Sequence, residues 1–177
     1  IPVSAKMRLG YMDRNFTLEN AHAIEDAGAA WVTVHARTKA DGYTPPAFWD
    51  QLQPIREALK INVIANGEIW NNADAKQCVI ESGCQDIMIG RGAVTTPDIT
   101  QCIRQNSDEP LLCWNDLVAL QVRFLSDKKK KEMNMVGRYK QWLGMMSKHY
   151  PEAKMLWDEI KRLKQIEEIT NKLKQMT

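Results

Sequence analysis

The chain has 177 residues, 44% of them apolar and 26% charged, with 24 basic and 22 acidic side chains and a formal net charge of +2. That balance excludes a disordered chain, no apolar stretch approaches the roughly 18–20 residues of a membrane helix, and the opening residues interleave charged with apolar positions unlike a signal peptide, so the composition reads as a soluble protein of an internal compartment. The four cysteines, Cys78, Cys84, Cys102 and Cys113, form no CxxC pair and have no histidine at metal-ligand spacing, so buried thiols are expected rather than a zinc site or a disulfide framework.

Along residues 1–100 one pattern recurs: a short β-branched run, a loop, then a helical stretch. Residues 3–9 read as a strand, and 17–27 as a helix with Asn15 or Thr17 as N-cap and Gly28 at its end. Residues 31–35 are a second strand, 48–59 a helix, 62–65 a third strand, 73–82 a helix ending at Gly83, and 86–89 a fourth strand. Four strand-then-helix units in succession predict a parallel sheet with crossover helices. After Pro97 the strand signals stop. Residues 114–125, 136–149 and 151–174 carry apolar positions at spacings of three and four, which predicts a helical domain over 101–177, with Lys128–Lys131 in a charged turn. Residues 1–100 carry 9 basic and 12 acidic side chains, whereas 101–177 carry 15 and 10. A basic helical domain can follow a polyanion or simply be solvated.

Ile1-Pro2 leads directly into the first strand, and four parallel strands cannot close a barrel that needs eight. The chain therefore reads as part of such a barrel, with an open edge that tends to find a partner strand, the other half being absent or supplied by another chain. In barrels of this type the reactive groups lie at the C-terminal strand ends and phosphates bind in the last loops. Asn66-Gly67-Glu68 and Gly90-Arg91-Gly92 occupy consecutive strand ends, with glycines where backbone N–H groups must approach a ligand. The helix starts near Asn71-Asn72 and Ala93–Thr95 would add partial positive charge and Arg91 a full one. Either motif alone could be a plain turn; together they favour a phosphate. Lys6 stands in an apolar strand and calls for either an ion pair with Glu68 or Asp86 or a cationic contact to an electron-rich ring. His35 is either a donor to the same ligand or a satisfied core histidine.

Five segments, VSAKMRLGY, VHARTKADGY, VIANGEIW, MIGRGA followed by Pro97, and GRYKQWL, occur here in an order and spacing that resembles the second half of the tRNA-dihydrouridine synthases, in particular their bacterial C-subfamily. The resemblance runs the length of the chain and implies the fold: α/β, the second half of a (β/α)8 TIM barrel over residues 1–100 followed by an all-helical tRNA-binding domain over 101–177. It also implies a cytoplasmic flavoenzyme that uses FMN, reduced by NADPH, to saturate the C5–C6 bond of a uridine in the tRNA D loop. Hydride would pass from flavin N5 to C6, with the uracil turned out of its stack.

Carried over by position, Lys6 and His35 would contact the flavin ring or ribityl chain. Asn66, Gly67, Glu68, Gly90 and Arg91 would hold the phosphate region. Tyr43, Arg138 and Lys140 would touch tRNA. The family's proton-donating cysteine belongs to its first half, so no catalytic residue is expected in this chain, and it should be inactive without the missing N-terminal half. Two readings compete: a non-catalytic RNA-binding fragment, and another FMN-dependent barrel reductase.

Overall fold

The computed structural model describes residues 1–127 and 132–176, so the expected turn at Lys128–Lys131 lies outside the described residues. The chain divides into two compact units, residues 1–92 and 93–177.

The first unit is built on four parallel strands in sequence order, β1 (Ser4–Arg8), β2 (Trp31–His35), β3 (Asn62–Asn66) and β4 (Asp86–Met88). Helix α1 (Thr17–Asp26) connects β1 to β2. A 3-10 turn (Trp49–Leu52) running into α2 (Gln53–Ala58) connects β2 to β3, and α3 (Asn72–Ser82) connects β3 to β4. Residues two apart on a strand share a face, so Val32, Val34, Val63 and Ala65, all buried, form one side of the sheet, and Lys6, Arg8, Thr33, His35 and Asn66 the other.

The expected helix over 48–59 is split because Pro54 lacks an N–H and cannot bond back to Asp50. Gln53 N–H donates to the Asp50 carbonyl instead, tightening that turn. Neither Asn15 nor Thr17 caps α1: the residue before the helix is Phe16, and the Thr17 hydroxyl bonds the carbonyls of Leu9 and Arg14, tying α1 to the end of β1. Gly83 closes α3 at φ 64°, as its position in the sequence suggests.

The second unit contains α5 (Ile99–Gln105), α6 (Trp114–Leu125), α7 (Glu132–Met146), α8 (Pro151–Ile160) and α9 (Ile166–Lys174); the short α4 (Arg91–Thr95) leads into it. Its core joins Leu117, Tyr139, Leu143, Met146, Leu156, Ile160, Ile169 and Leu173, none of them more than 1% exposed. The Tyr139 hydroxyl donates to Gln121 Oε1 at 2.8 Å inside this core. Three features differ from expectation, the first being that the helix expected over 136–149 is α7, Glu132–Met146. Helix α5 lies in a stretch with no assigned helix, and the single helix over 151–174 is two. No Gly or Pro separates α8 from α9. The Lys140 ammonium of α7 donates to the carbonyls of Lys161, at 2.9 Å, and Leu163, at 2.6 Å, and so satisfies the exposed end of α8.

Candidate functional site

The strand register sets Arg8, His35, Asn66 and Met88 side by side at the C-terminal ends of β1 to β4. A pocket of about 350 Å³ opens there, within the first unit. Lys6, His35, Asn66, Gly67, Glu68, Gly90 and Arg91 all line it, joined by Tyr43, by Arg8 at the end of β1 and by Trp70, to which the sequence assigned no role.

Lys6 Nζ donates to Asn66 Oδ1 at 2.9 Å, and Asn66 Nδ2 donates to the Met88 carbonyl at 2.7 Å, which fixes the amide's orientation. Of the two roles open to Lys6, the ion pair is not formed. Glu68 is engaged by Arg37 and Arg91, and Asp86 accepts from Asn62 Nδ2 at 2.6 Å. The Lys6 ammonium therefore faces the pocket without a carboxylate partner, and burial, then the nearby Arg8 charge, pull it below the ordinary lysine range.

His35 is 6% exposed. Burial, followed by the charges of Arg8, Lys6, Arg37 and Arg91, lowers its pKa to about 4, so it is a neutral imidazole at pH 7. Gly67 lies against it at φ +124°, where a Cβ would stand 2.8 Å from His35 Cδ2. Only glycine combines that backbone angle with that approach. At Gly90, by contrast, a Cβ would meet no atom within 4 Å, so this glycine leaves space open in the pocket.

Glu68 adopts φ 56°, the left-handed region, immediately after Gly67. Its carboxylate bonds the fully buried Arg37, accepts Trp70 Nε1–H at 2.8 Å and lies 3.6 Å from Arg91 Nη2. Burial would raise its pKa, but the hydrogen bonds from Arg37 and Trp70 and the charges of Arg37 and Arg91 outweigh it and hold the group below the usual carboxylate range. An acceptor already engaged on three sides is a poor direct contact for a phosphate, so the position expected to hold the phosphate region instead orients the cations around it. Arg8 Nη1 donates to the carbonyls of Thr38 (2.7 Å) and Gly42 (3.0 Å), anchoring the loop that carries Tyr43. The Tyr43 ring lies 5.3 Å from the Arg8 guanidinium and 4.8 Å from that of Arg91.

The pocket thus offers three cations, Lys6, Arg8 and Arg91, against one carboxylate that is itself paired, together with a neutral imidazole and an open glycine. That donor set suits a ligand carrying an aromatic ring and an anionic group. The helix starts contribute less than the sequence suggests. Helix α4 has only five residues, and the start of α3 is filled by Asn71 Oδ1, which accepts Asp74 N–H at 2.8 Å.

On α7 of the second unit, Arg138 is exposed beside the half-buried Trp142, whose Nε1 donates to the Val94 carbonyl at 3.0 Å. Lys140 points elsewhere and is committed to the carbonyls of Lys161 and Leu163, just after α8. It is a fixed charge. Tyr43 belongs to the first unit's pocket.

The profile of the dihydrouridine synthases matches residues 1–177. The chain belongs to the dihydrouridine synthase family. Proteins named tRNA-dihydrouridine(16) synthase are similar to it: one from Shewanella oneidensis is 43% identical over 98% of this chain and 55% of its own length. One from Pseudomonas syringae pv. tomato is 43% identical over 96% and 55%, and one from Haemophilus influenzae 38% identical over 97% and 56%. The chain spans about half the length of the curated relatives it matches. For a synthase family built on a TIM barrel, a four-stranded parallel sheet with crossover helices is the architecture half a barrel requires.

Among the described residues no thiol lines the pocket at the strand ends. Cys78, Cys84 and Cys102 are buried and Cys113 is exposed elsewhere. Burial pushes the Cys78 thiol up to about 12 and raises Cys84 and Cys102 as well, so these are inert packing groups. Among the described residues no group of three or more His, Cys, Asp or Glu is placed to hold a metal ion, and no helix is long and apolar enough to cross a membrane.

Proposed function

We propose that this chain supplies the flavin and phosphate half of an FMN-dependent, NADPH-reduced synthase that saturates a uridine C5–C6 bond in the tRNA D loop. The observation that carries the proposal is the gathering of Lys6, His35, Asn66, Gly67, Gly90 and Arg91 around one cationic pocket at the strand ends. When bound, FMN supplies the hydride that passes from its N5 to C6 of the uracil. Lys6 places a positive charge beside the flavin ring and so favours its reduced, anionic form. Asn66, oriented by Lys6 and the Met88 carbonyl, and neutral His35 contribute hydrogen bonds without adding charge. Arg91 and the open backbone at Gly90 take the phosphate, while Glu68 positions Arg91.

The proton for C5 comes from a cysteine outside this chain, so activity needs the family's N-terminal half. The likeness to synthases named for position 16 makes that uridine the proposed target, and a tRNA substrate assigns the enzyme to the cytoplasm. Exposed Arg138, on the basic helical unit, is the proposed tRNA contact of α7, with Tyr43 a second contact at the pocket rim and Lys140 adding fixed charge behind it. The test is a full-length synthase whose second half is this chain, given NADPH and unmodified tRNA. Dihydrouridine at one D-loop position, detected by mass spectrometry, together with stoichiometric FMN is the expected result. A colourless protein that binds tRNA without modifying it would favour the RNA-binding reading, and FMN binding with turnover of a free pyrimidine or enone would favour another barrel reductase.

A further inference from the structure

We infer that Trp70 is the positioning residue of the phosphate site, holding the Arg91 guanidinium in place through its ring and, by way of Glu68, through its indole N–H. The inference rests on the reading of Arg91 as the phosphate cation. Arg91 has a long side chain that is 43% exposed, and such a side chain ordinarily samples many rotamers and must be ordered when a ligand binds. Here its position is defined from three directions. The Trp70 ring centroid lies 4.9 Å from the guanidinium carbon, the Tyr43 ring 4.8 Å, and the Glu68 carboxylate 3.6 Å from Nη2.

Trp70 acts on two of these three. Its ring makes the stacking contact, and its Nε1–H, at 2.8 Å from Glu68 Oε1, sets the rotation of the carboxylate whose other oxygen faces Arg37 and Arg91. Arg37, fully buried and anchored by its Nε–H to the Pro46 carbonyl at 3.1 Å, supplies a rigid backstop to Glu68. Trp70 is itself anchored: its backbone N–H donates to Asp74 Oδ2 at 2.9 Å, and the Asp74 N–H is taken by the Asn71 side chain. The indole thus joins the capped start of α3 to the cation in the pocket, and ordering Arg91 before the ligand arrives lowers the cost of binding an anion.

The experiment compares FMN with riboflavin, which lacks the phosphate, by flavin fluorescence titration of the full-length synthase. The variants are Trp70→Leu, Trp70→Phe, Arg91→Ala and the double variant Trp70→Leu/Arg91→Ala. Trp70→Leu is expected to weaken FMN about tenfold and riboflavin less than about twofold, Trp70→Phe to fall between it and the parent, and the double variant to be no worse than Arg91→Ala alone. Equal weakening of both flavins by Trp70→Leu would mean that the indole merely packs the pocket or touches the flavin ring, and would overturn the inference, as would losses that multiply in the double variant. If Arg91→Ala leaves the FMN-to-riboflavin preference intact, the phosphate reading itself fails and takes the inference with it.

Discussion

Two glycines of the pocket separate what the fold needs from what the ligand needs. Replacing Gly67 by Ala forces an L residue to φ +124°, a conformation that costs of order 1–3 kcal/mol. The new methyl would also stand 2.8 Å from His35 Cδ2, 3.2 Å from Nε2 and 3.4 Å from Ala47 Cβ. His35 is 6% exposed, so its ring cannot swing into solvent, and relieving the contact adds about 1 kcal/mol. The sum, about 2–4 kcal/mol, is a large share of the 5–15 kcal/mol that holds a typical domain together. Gly90→Ala meets no atom within 4 Å, and its φ lies outside the left-handed region, so its folding cost should stay within about 0.5 kcal/mol. Its methyl instead occupies open pocket, and FMN affinity should fall about tenfold, equivalent to roughly 1.4 kcal/mol. Denaturant unfolding and flavin titration on both variants read the two effects separately. A Gly67→Ala protein within 1 kcal/mol of the parent, or a Gly90→Ala protein that binds FMN with the parent's affinity, would refute the reasoning.

Three further outcomes are expected. Lys6→Ala removes the pocket's unpaired ammonium and leaves Asn66 Oδ1 without its donor, so the reduction potential of bound FMN should fall, measured by spectroelectrochemistry; an unchanged potential would return Lys6 to a structural role. His35 refuses its proton until about pH 4, whereas the unfolded chain takes one up near 6.5, so the unfolded state binds more protons between those values and stability falls as pH falls, by up to about 3 kcal/mol; unfolding curves of His35→Gln should lack this component, and an equal loss in the variant would exclude His35 as its source. Lys140→Met strips two carbonyls of their donor and should cost the helical unit about 1–2 kcal/mol, while Arg138→Glu should leave unfolding unchanged and weaken tRNA binding with a shallower salt dependence; the reverse pattern would exchange their roles.

Much of the fold was readable because its signals are local. The β-branched run at Trp31–His35 and the apolar periodicity of Trp114–Leu125 coincide with β2 and α6 to the residue, and Gly83 ends α3 where a left-handed closing residue is needed. What escaped depends on partners distant in sequence. No Gly or Pro within 151–174 marks the break; the carbonyls freed beyond Ile160 are met by Lys140, more than twenty residues away, a partner that local pattern does not reveal. Helix α5 is short, and its end is set by Asn106 at φ 57°, a weaker stop signal than glycine.

At the pocket, the glycine loops and Lys6 stood out because their residue types are costly or unusual at strand ends. Arg8 and Trp70 fall within the segments VSAKMRLGY and VIANGEIW, but neither residue type at its position names a partner. Their roles arise only when the fold sets Arg8 against the 38–42 loop and Trp70 against Glu68 and Arg91. Glu68 shows the converse. Its place in the Asn-Gly-Glu loop was legible, but its engagement with Arg37, Trp70 and Arg91 required the folded geometry.

The central claim is that the pocket at the ends of β1 to β4 binds the phosphate of a flavin mononucleotide. Phosphorus NMR of FMN titrated with the full-length synthase tests it most directly, because the nucleus observed is the atom in question. The account predicts a separate bound resonance that shifts or broadens in Arg91→Ala and in Gly90→Ala while the flavin absorbance still reports binding. A phosphorus signal that stays at the free position when the flavin is fully bound, or that is indifferent to both substitutions, would contradict it.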